Sequence, residues 1–234
     1  MIDLYTAPTP NGWKVSIMLE ECGLPYTVRW VHIGKGEQFA PAFLKISPNN
    51  KIPAIVDNAP ADGGPPVSVF ETGAILLYLA EKTGRFLPEG WRERIAVHEW
   101  LFWQVGGLGP MLGQHGHFKL YAPERIPYAT ERYHREALRL YGVLNRRLAE
   151  VSYLAGEEYS IADMATFPWV QTYKAQEIDL GDFPHALAWY KDLKDRPGIR
   201  AGMDLGRKHV VRRPQDDPEA RKVLFGLKEA QDDR

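Results

Sequence analysis

Apolar positions change their period part-way along the chain. Up to about residue 83, short apolar runs take turns with helical stripes, whereas beyond Trp91 the spacing is helical throughout. Met1 to Tyr5 predicts a strand, and Val15, Met18, Leu19 and Cys22, at i, i+3, i+4 and i+7, predict the inner face of a helix over Gly12 to Cys22. Thr27 to Ile33 is β-rich, and Gly34 to Ser47 mixes a loop with a short helix. Two strands then flank an Asp62-Gly63-Gly64 turn, and Gly73 to Glu81 forms the next helix. Strand, helix, strand, helix, two strands and helix make a βαβ unit followed by ββα.

The second half reads as helices only. After a linker over residues 84–91, Arg92 to Val105 is helical and breaks at Gly106-Gly107-Leu108-Gly109-Pro110. Pro127 to Val151 predicts a long amphipathic helix with Leu138, Tyr141 and Leu148 in its stripe. Ser160-Ile-Ala-Asp163 is a capping box, which gives Asp163 a structural role. Phe183-Pro184 opens a helix through Lys194, stopped by Arg196-Pro197-Gly198. The tail carries a basic RKHVVRR run, then Ala220, Val223, Leu224 and Leu227 at helical spacing, a surface helix packed on the body rather than a membrane anchor. The expected organisation is 1–83, a linker at 84–91, an all-helical domain at 92–205, and a tail at 206–234.

Composition narrows the function classes. A formal charge of -1 gives no overall electrostatic reason for nucleic acid or an anionic membrane as partner. No leader and no membrane-spanning apolar run is visible, so a cytoplasmic protein is expected. Cys22 is the only cysteine, which excludes an intrachain disulfide and a CxxC site, and its place on an apolar helix face favours an inert thiol. His115-Gly-His117 has no third ligand nearby, so no metal site is expected.

The most informative stretch runs from Pro48 to Lys82. Pro53 directly precedes a β-branched run, which predicts a cis Ile52-Pro53 bond at a strand entrance. An extended Ile52 then offers its N–H and C=O to a strand-like ligand. Thr72 is placed to cap the following helix, whose N-terminus attracts a carboxylate, and Glu71 can accept from an ammonium. An α-amino-acid head group fits that pair. Taken alone, the same residues also suit a plain helix cap and a solvated charge.

The succession SPNNKIPAIVD, FETGAILLYLAEKTG and, far downstream, YSIADMATFPW resembles a cytosolic glutathione transferase, from Met1 to about Gly202. LYTAPTPNGWKVSIMLEE and GKGEQFAPAFLKISPNNK are most similar to the bacterial nu-class branch, whose members act as glutathione-dependent disulfide reductases. The resemblance implies an N-terminal thioredoxin-like α/β domain followed by a helical bundle, a homodimer, and glutathione as bound co-substrate, with room for two per site. It implies that Thr9 and Asn11 act on the sulfur and that Gln38 and Lys51 meet the glycyl carboxylate. Ile52, beside Pro53, supplies backbone bonds, Glu71 and Thr72 take the γ-glutamyl end, and Arg132 reaches a ligand carboxylate.

Ionising a thiol about two pH units early takes about 2.7 kcal/mol. A helix N-terminus supplies about 0.3 to 2 kcal/mol, and one charge-assisted hydrogen bond, about 1.5 to 3 kcal/mol, closes the gap. The loop TAPTPNG offers no Ser or Cys for this, and Asn11 read alone is better explained as a plain helix cap; the resemblance is what gives it the sulfur role. The expected activity is reduction of small or mixed disulfides, with transferase or peroxidase side activity. A conjugating transferase toward electrophiles and a non-catalytic regulatory protein of the same fold stay open. Phe102 and Trp103 are open between packing and an acceptor-pocket wall.

Overall fold

The computed structural model describes residues 1–207 and 217–226. Strands β1 (Ile2–Thr6), β2 (Tyr26–Trp30), β3 (Ala54–Asp57) and β4 (Val67–Phe70) form one sheet in the order β2-β1-β3-β4. β1 pairs parallel with β2, in register Ile2 to Tyr26, and antiparallel with β3, Tyr5 opposite Ala54. Helices α1 (Pro10–Cys22), α2 (Pro41–Leu44) and α3 (Thr72–Thr83) complete the thioredoxin-like arrangement. Leu4 and Ile55 of the sheet are fully buried in one core with Val15, Met18 and Leu19 of α1 and Ile75, Leu76 and Leu79 of α3. β2 is shorter than the apolar pattern suggested. Val31 still bonds to the Thr6 carbonyl, but Gly36, at φ 81, helps turn the following segment into short 3-10 turns.

The rest is helical: α4 (Trp91–Trp103), α5 (Gly109–Gly116), α6 (Pro127–Leu148), α7 (Ile161–Val170), α8 (Pro184–Leu193), α9 (Pro197–Asp204) and α10 (Pro218–Phe225). The expected break at Gly106 to Pro110 does not occur. A π-helical turn, Gln104–Leu108, joins α4 to α5, and a second, His117–Tyr121, follows α5. Pro110 falls in the first turn of α5, where a missing N–H costs little, so glycine and proline shape this helix without ending it.

Two further expectations are corrected. Leu138 is exposed, and the buried stripe of α6 is Ala137, Leu140, Tyr141, Leu144 and Leu148. Arg196-Pro197-Gly198 ends α8 but also starts α9, with Pro197 in its first turn. Helix α9 fixes the far side of α1. A Cβ on Gly202 would lie 2.5 Å from the Ile17 nitrogen, so only glycine permits this approach. The Ser16 hydroxyl donates to the Gly202 carbonyl at 2.8 Å, and Arg196 makes two 3.0 Å bonds to the Glu21 carboxylate. Helix α1 is thereby held between the sheet and the helical domain, which fixes where its N-terminus points.

Helix α10 lies with Ala220 over Gly34 and Val223 over Gly36, and Arg221 donates to the Tyr121 carbonyl at 3.0 Å. Leu227 and most of the basic run lie outside the described residues. Among those described, no helix is long and apolar enough to cross a membrane.

Candidate functional site

The loop before α1 sets one wall of a cleft between the two halves of the molecule. Thr9, not Asn11, is the N-cap: its backbone is extended and its Oγ1 accepts from the Gly12 N–H at 3.1 Å. Threonine at the cap followed by proline in the first turn is the favoured sequence for that geometry. Asn11 is therefore released from capping and lies in the first turn of the helix. Its Oδ1 accepts from the Trp169 indole N–H of α7 at 2.9 Å, a bond across the two halves. That contact fixes the amide so that Nδ2, unpartnered among the described residues, is available to donate. Thr9 likewise uses its oxygen as acceptor and keeps its O–H proton. Gly12 leaves no space for a Cβ, which would meet the Ala7 carbonyl at 2.3 Å, so the loop is packed tightly on the helix start.

The opposite wall comes from the segment before β3 and the start of α3. Ile52-Pro53 is cis, and the Ile52 N–H and C=O have no backbone partner among the described residues. Glu71 takes a left-handed backbone, φ 68, and α3 starts at Thr72. Thr72 is thus inside the helix rather than its cap, a correction that follows from Glu71 making the turn. Its hydroxyl oxygen accepts from the Lys14 ammonium at 3.3 Å, while Glu71 Oε1 accepts from the Asn49 amide at 3.3 Å.

These walls enclose a cavity of about 510 Å³. Asn11, Lys14, Lys51, Ile52, Pro53, Glu71 and Thr72 line it from the first half, and Val105, Gly109, Gly113 and Trp169 from the second. Of the predicted residues, Thr9, Gln38 and Arg132 do not line it. Thr9 lies behind Asn11, Gln38 is buried in a short turn with its Oε1 unpartnered, and Arg132 is exposed on α6. Phe102 and Trp103 do not line the cavity either; Val105, in the π-helical turn that follows them, does.

Lys14 was missed. It is 2% exposed, and its Nζ donates to Gln104 Oε1 at 2.5 Å as well as to Thr72. The available signal was its spacing, three residues after Asn11 and four before the buried Met18, which puts a lysine on an inward face. Burial pushes the Lys14 ammonium down to about 7, opposed by the Glu71 carboxylate. A folded-state value below the unfolded one means that the unfolded chain binds more protons above pH 7. Lys14 therefore costs stability most fully below that pH, and the cost is relieved as pH rises toward the ordinary lysine range. Comparing urea unfolding of the wild type and Lys14→Met from pH 6 to 9 should show the variant's stability advantage shrinking with pH. A constant difference would contradict the assignment.

Cys22 sits at the other end of α1, half-buried, with Sγ 3.9 Å from the Met18 sulfur and 3.6 Å from the Thr83 hydroxyl. Burial raises its thiol pKa, so it is a poor nucleophile at neutral pH. Cys22→Ala should retain the wild-type turnover within about twofold. A loss of tenfold would require a protein thiol in the chemistry.

Two family descriptions match the chain: glutathione S-transferase, N-terminal domain, over residues 9–82, and glutathione S-transferase, C-terminal domain, over residues 118–197. The chain belongs to the glutathione S-transferase family. It is 61% identical over 197 residues to the disulfide-bond oxidoreductase YfcG of Escherichia coli, covering 84% of this chain and 92% of that one. It is 43% identical over 219 residues to the disulfide-bond oxidoreductase YghU of the same organism, covering 88% and 75%. Among solved structures, a Burkholderia graminis glutathione transferase with two glutathione molecules bound per subunit superposes with a TM-score of 0.83 at 44% identity, over 87% of each chain. A Pseudomonas putida glutathione transferase with one glutathione disulfide bound per subunit gives 0.83 at 42%, over 87% of this chain and 91% of that one.

Proposed function

We propose that this protein is a glutathione-dependent disulfide reductase of the nu-class branch, working on small or mixed disulfides. The observation that carries the reading is the mouth of α1. Asn11 lines a cavity that Cys22 does not, with Thr9 two residues before it at the helix cap, so the site can hold a sulfur but does not own one. The bound tripeptide supplies the thiol chemistry, and the similarity to YfcG and YghU, both disulfide-bond oxidoreductases, supports that direction of use.

In this reading Ile52 holds the cysteinyl unit by its free backbone groups, Glu71 and Thr72 take the γ-glutamyl end, and Lys51, which lines the cavity, takes the glycyl carboxylate. Asn11 Nδ2, the Thr9 hydroxyl and the α1 dipole lower the cost of the thiolate. One glutathione thiolate attacks a substrate sulfur; the S–S bond breaks, and the departing thiolate takes up the proton given up on ionisation. A second glutathione resolves the mixed disulfide, so two glutathiones and one disulfide become glutathione disulfide and two thiols. Arg132 would reach a ligand carboxylate of a partner subunit. Exposed Trp91, Ile95 and Phe102 of α4, with Val67 and Phe70 of β4, support a homodimer. A cytoplasmic setting, where glutathione is kept reduced, fits this chemistry.

The test is an assay of 2-hydroxyethyl disulfide beside an aryl halide with purified protein and glutathione. The reading requires the disulfide to be reduced well above the rate with glutathione alone. Conjugation of the halide without disulfide reduction would make the protein a conjugating transferase instead.

A further inference from the structure

Among the described residues, Lys14 has no ion-pair partner. An ammonium taken out of water needs an opposite charge or a full set of hydrogen bonds to offset its lost hydration. Both groups that Lys14 touches, Gln104 Oε1 and Thr72 Oγ1, are neutral, and among the described residues no carboxylate lies within ion-pair distance of it. Glu71 acts on it only through space and is itself exposed, bonded to Asn49. Yet Lys14 lines the cavity, beside the first turn of the twelve-residue helix α3. A buried ammonium with only neutral partners, next to helix N-terminal N–H groups and a hydroxyl, is suited to receive a carboxylate.

We propose that Lys14 is a specificity-determining residue whose ammonium pairs with the α-carboxylate of the γ-glutamyl end of the peptide bound at Thr72. The assignment rests on the tripeptide reading above. Three donors of different origin then converge on one anion: the α3 N-terminus, the Thr72 hydroxyl and the Lys14 ammonium. Gln104 is a positioning residue. It comes from the π-helical turn of the helical half, is fully buried, and holds Lys14 against α3, so recognition of the peptide's first residue depends on how the two halves are docked. Burying the Lys14 ammonium without an opposite charge is costly, and pairing it with a ligand carboxylate removes that cost. Affinity should therefore depend on the α-carboxylate more steeply than a surface ion pair would allow.

The experiment is calorimetric titration of the full protein with glutathione and with 4-aminobutyryl-Cys-Gly, the same peptide without the α-carboxylate. Wild type should bind the analogue at least about tenfold more weakly. Lys14→Met should weaken glutathione by a similar factor while moving the analogue by less than about twofold, and its unliganded midpoint of unfolding should rise. Lys14→Gln is read in the same way if the methionine variant does not fold. In the unmutated protein, the Lys14 Cε resonance of a carbon-13 lysine-labelled sample should shift on adding glutathione and stay in place with the analogue. Equal affinity of wild type for the two peptides, equal loss of both in the variants, or a Lys14 resonance indifferent to glutathione overturns the proposal. Failure of wild type to bind glutathione at all would instead overturn the tripeptide reading on which it rests.

Discussion

Asn11→Ala is expected to lower kcat for disulfide reduction by about 10- to 100-fold while changing the KM for glutathione by less than about threefold. The magnitude is that of one hydrogen bond to a charged acceptor, and the split arises because the thiolate, not the resting thiol, is what the amide donates to. Asn11 is the cleaner of the two candidates to test. Thr9 also caps α1, so Thr9→Ala mixes the loss of a sulfur donor with a cap loss of about 0.5 to 2 kcal/mol, whereas Asn11 caps nothing. Asn11→Asp should be slower still, since it sets a carboxylate against the thiolate. Trp169→Phe should cost less, because it frees the amide to rotate but leaves it present. Steady-state rates over a range of glutathione concentrations decide this. A variant with normal kcat and raised KM would make Asn11 a binding residue only.

Asp163→Ala should be the most damaging substitution for stability, at about 3–4 kcal/mol. Its carboxylate is fully buried and accepts four bonds: from the backbone N–H of Leu154 at 3.0 Å, the N–H and Oγ of Ser160 at 3.1 Å each, and the indole of Trp189 at 3.0 Å. Removing it opens the capping box of α7 and leaves several buried donors unpaired at once. Asp163→Asn is no remedy, because every neighbour is a donor and the amide would turn one N–H₂ toward them. Against a typical total of about 5 to 15 kcal/mol, the loss should be plain as a lower urea midpoint at unchanged slope. A midpoint within about 0.5 kcal/mol of wild type would show that α7 does not need its cap.

What the sequence revealed and what it hid divide along physical lines. Features encoded within a few residues were readable: the Ser160–Asp163 capping box, the cis bond before a β-branched run, and the alternation of strands and helices ahead of α3. Glycine and proline were ambiguous, because the same residues that end an α-helix also permit a π-helical turn. That is how Gly106 to Pro110 came to be read as a break, and Arg196-Pro197-Gly198 as a stop when it is also a start. The cap fell to Thr9 rather than Asn11 for a similar reason, since either can cap a helix and only the position of Pro10 favours threonine. The contacts hidden from sequence reading join distant segments. Asn11 meets Trp169 across 158 residues and Lys14 meets Gln104 across 90, and no local pattern encodes either pairing. Lys14 alone left a trace, as a charge on an inward helix face.

The central claim is that α1 presents its N-terminal donors to a sulfur the protein does not own. Titration of the thiolate ultraviolet absorbance of glutathione bound to the wild-type protein and to Asn11→Ala tests it most directly. The account predicts that bound glutathione ionises about two pH units below the free thiol, and that the alanine variant returns at least about one of them. A bound thiol that titrates where free glutathione does, in both proteins, would contradict it.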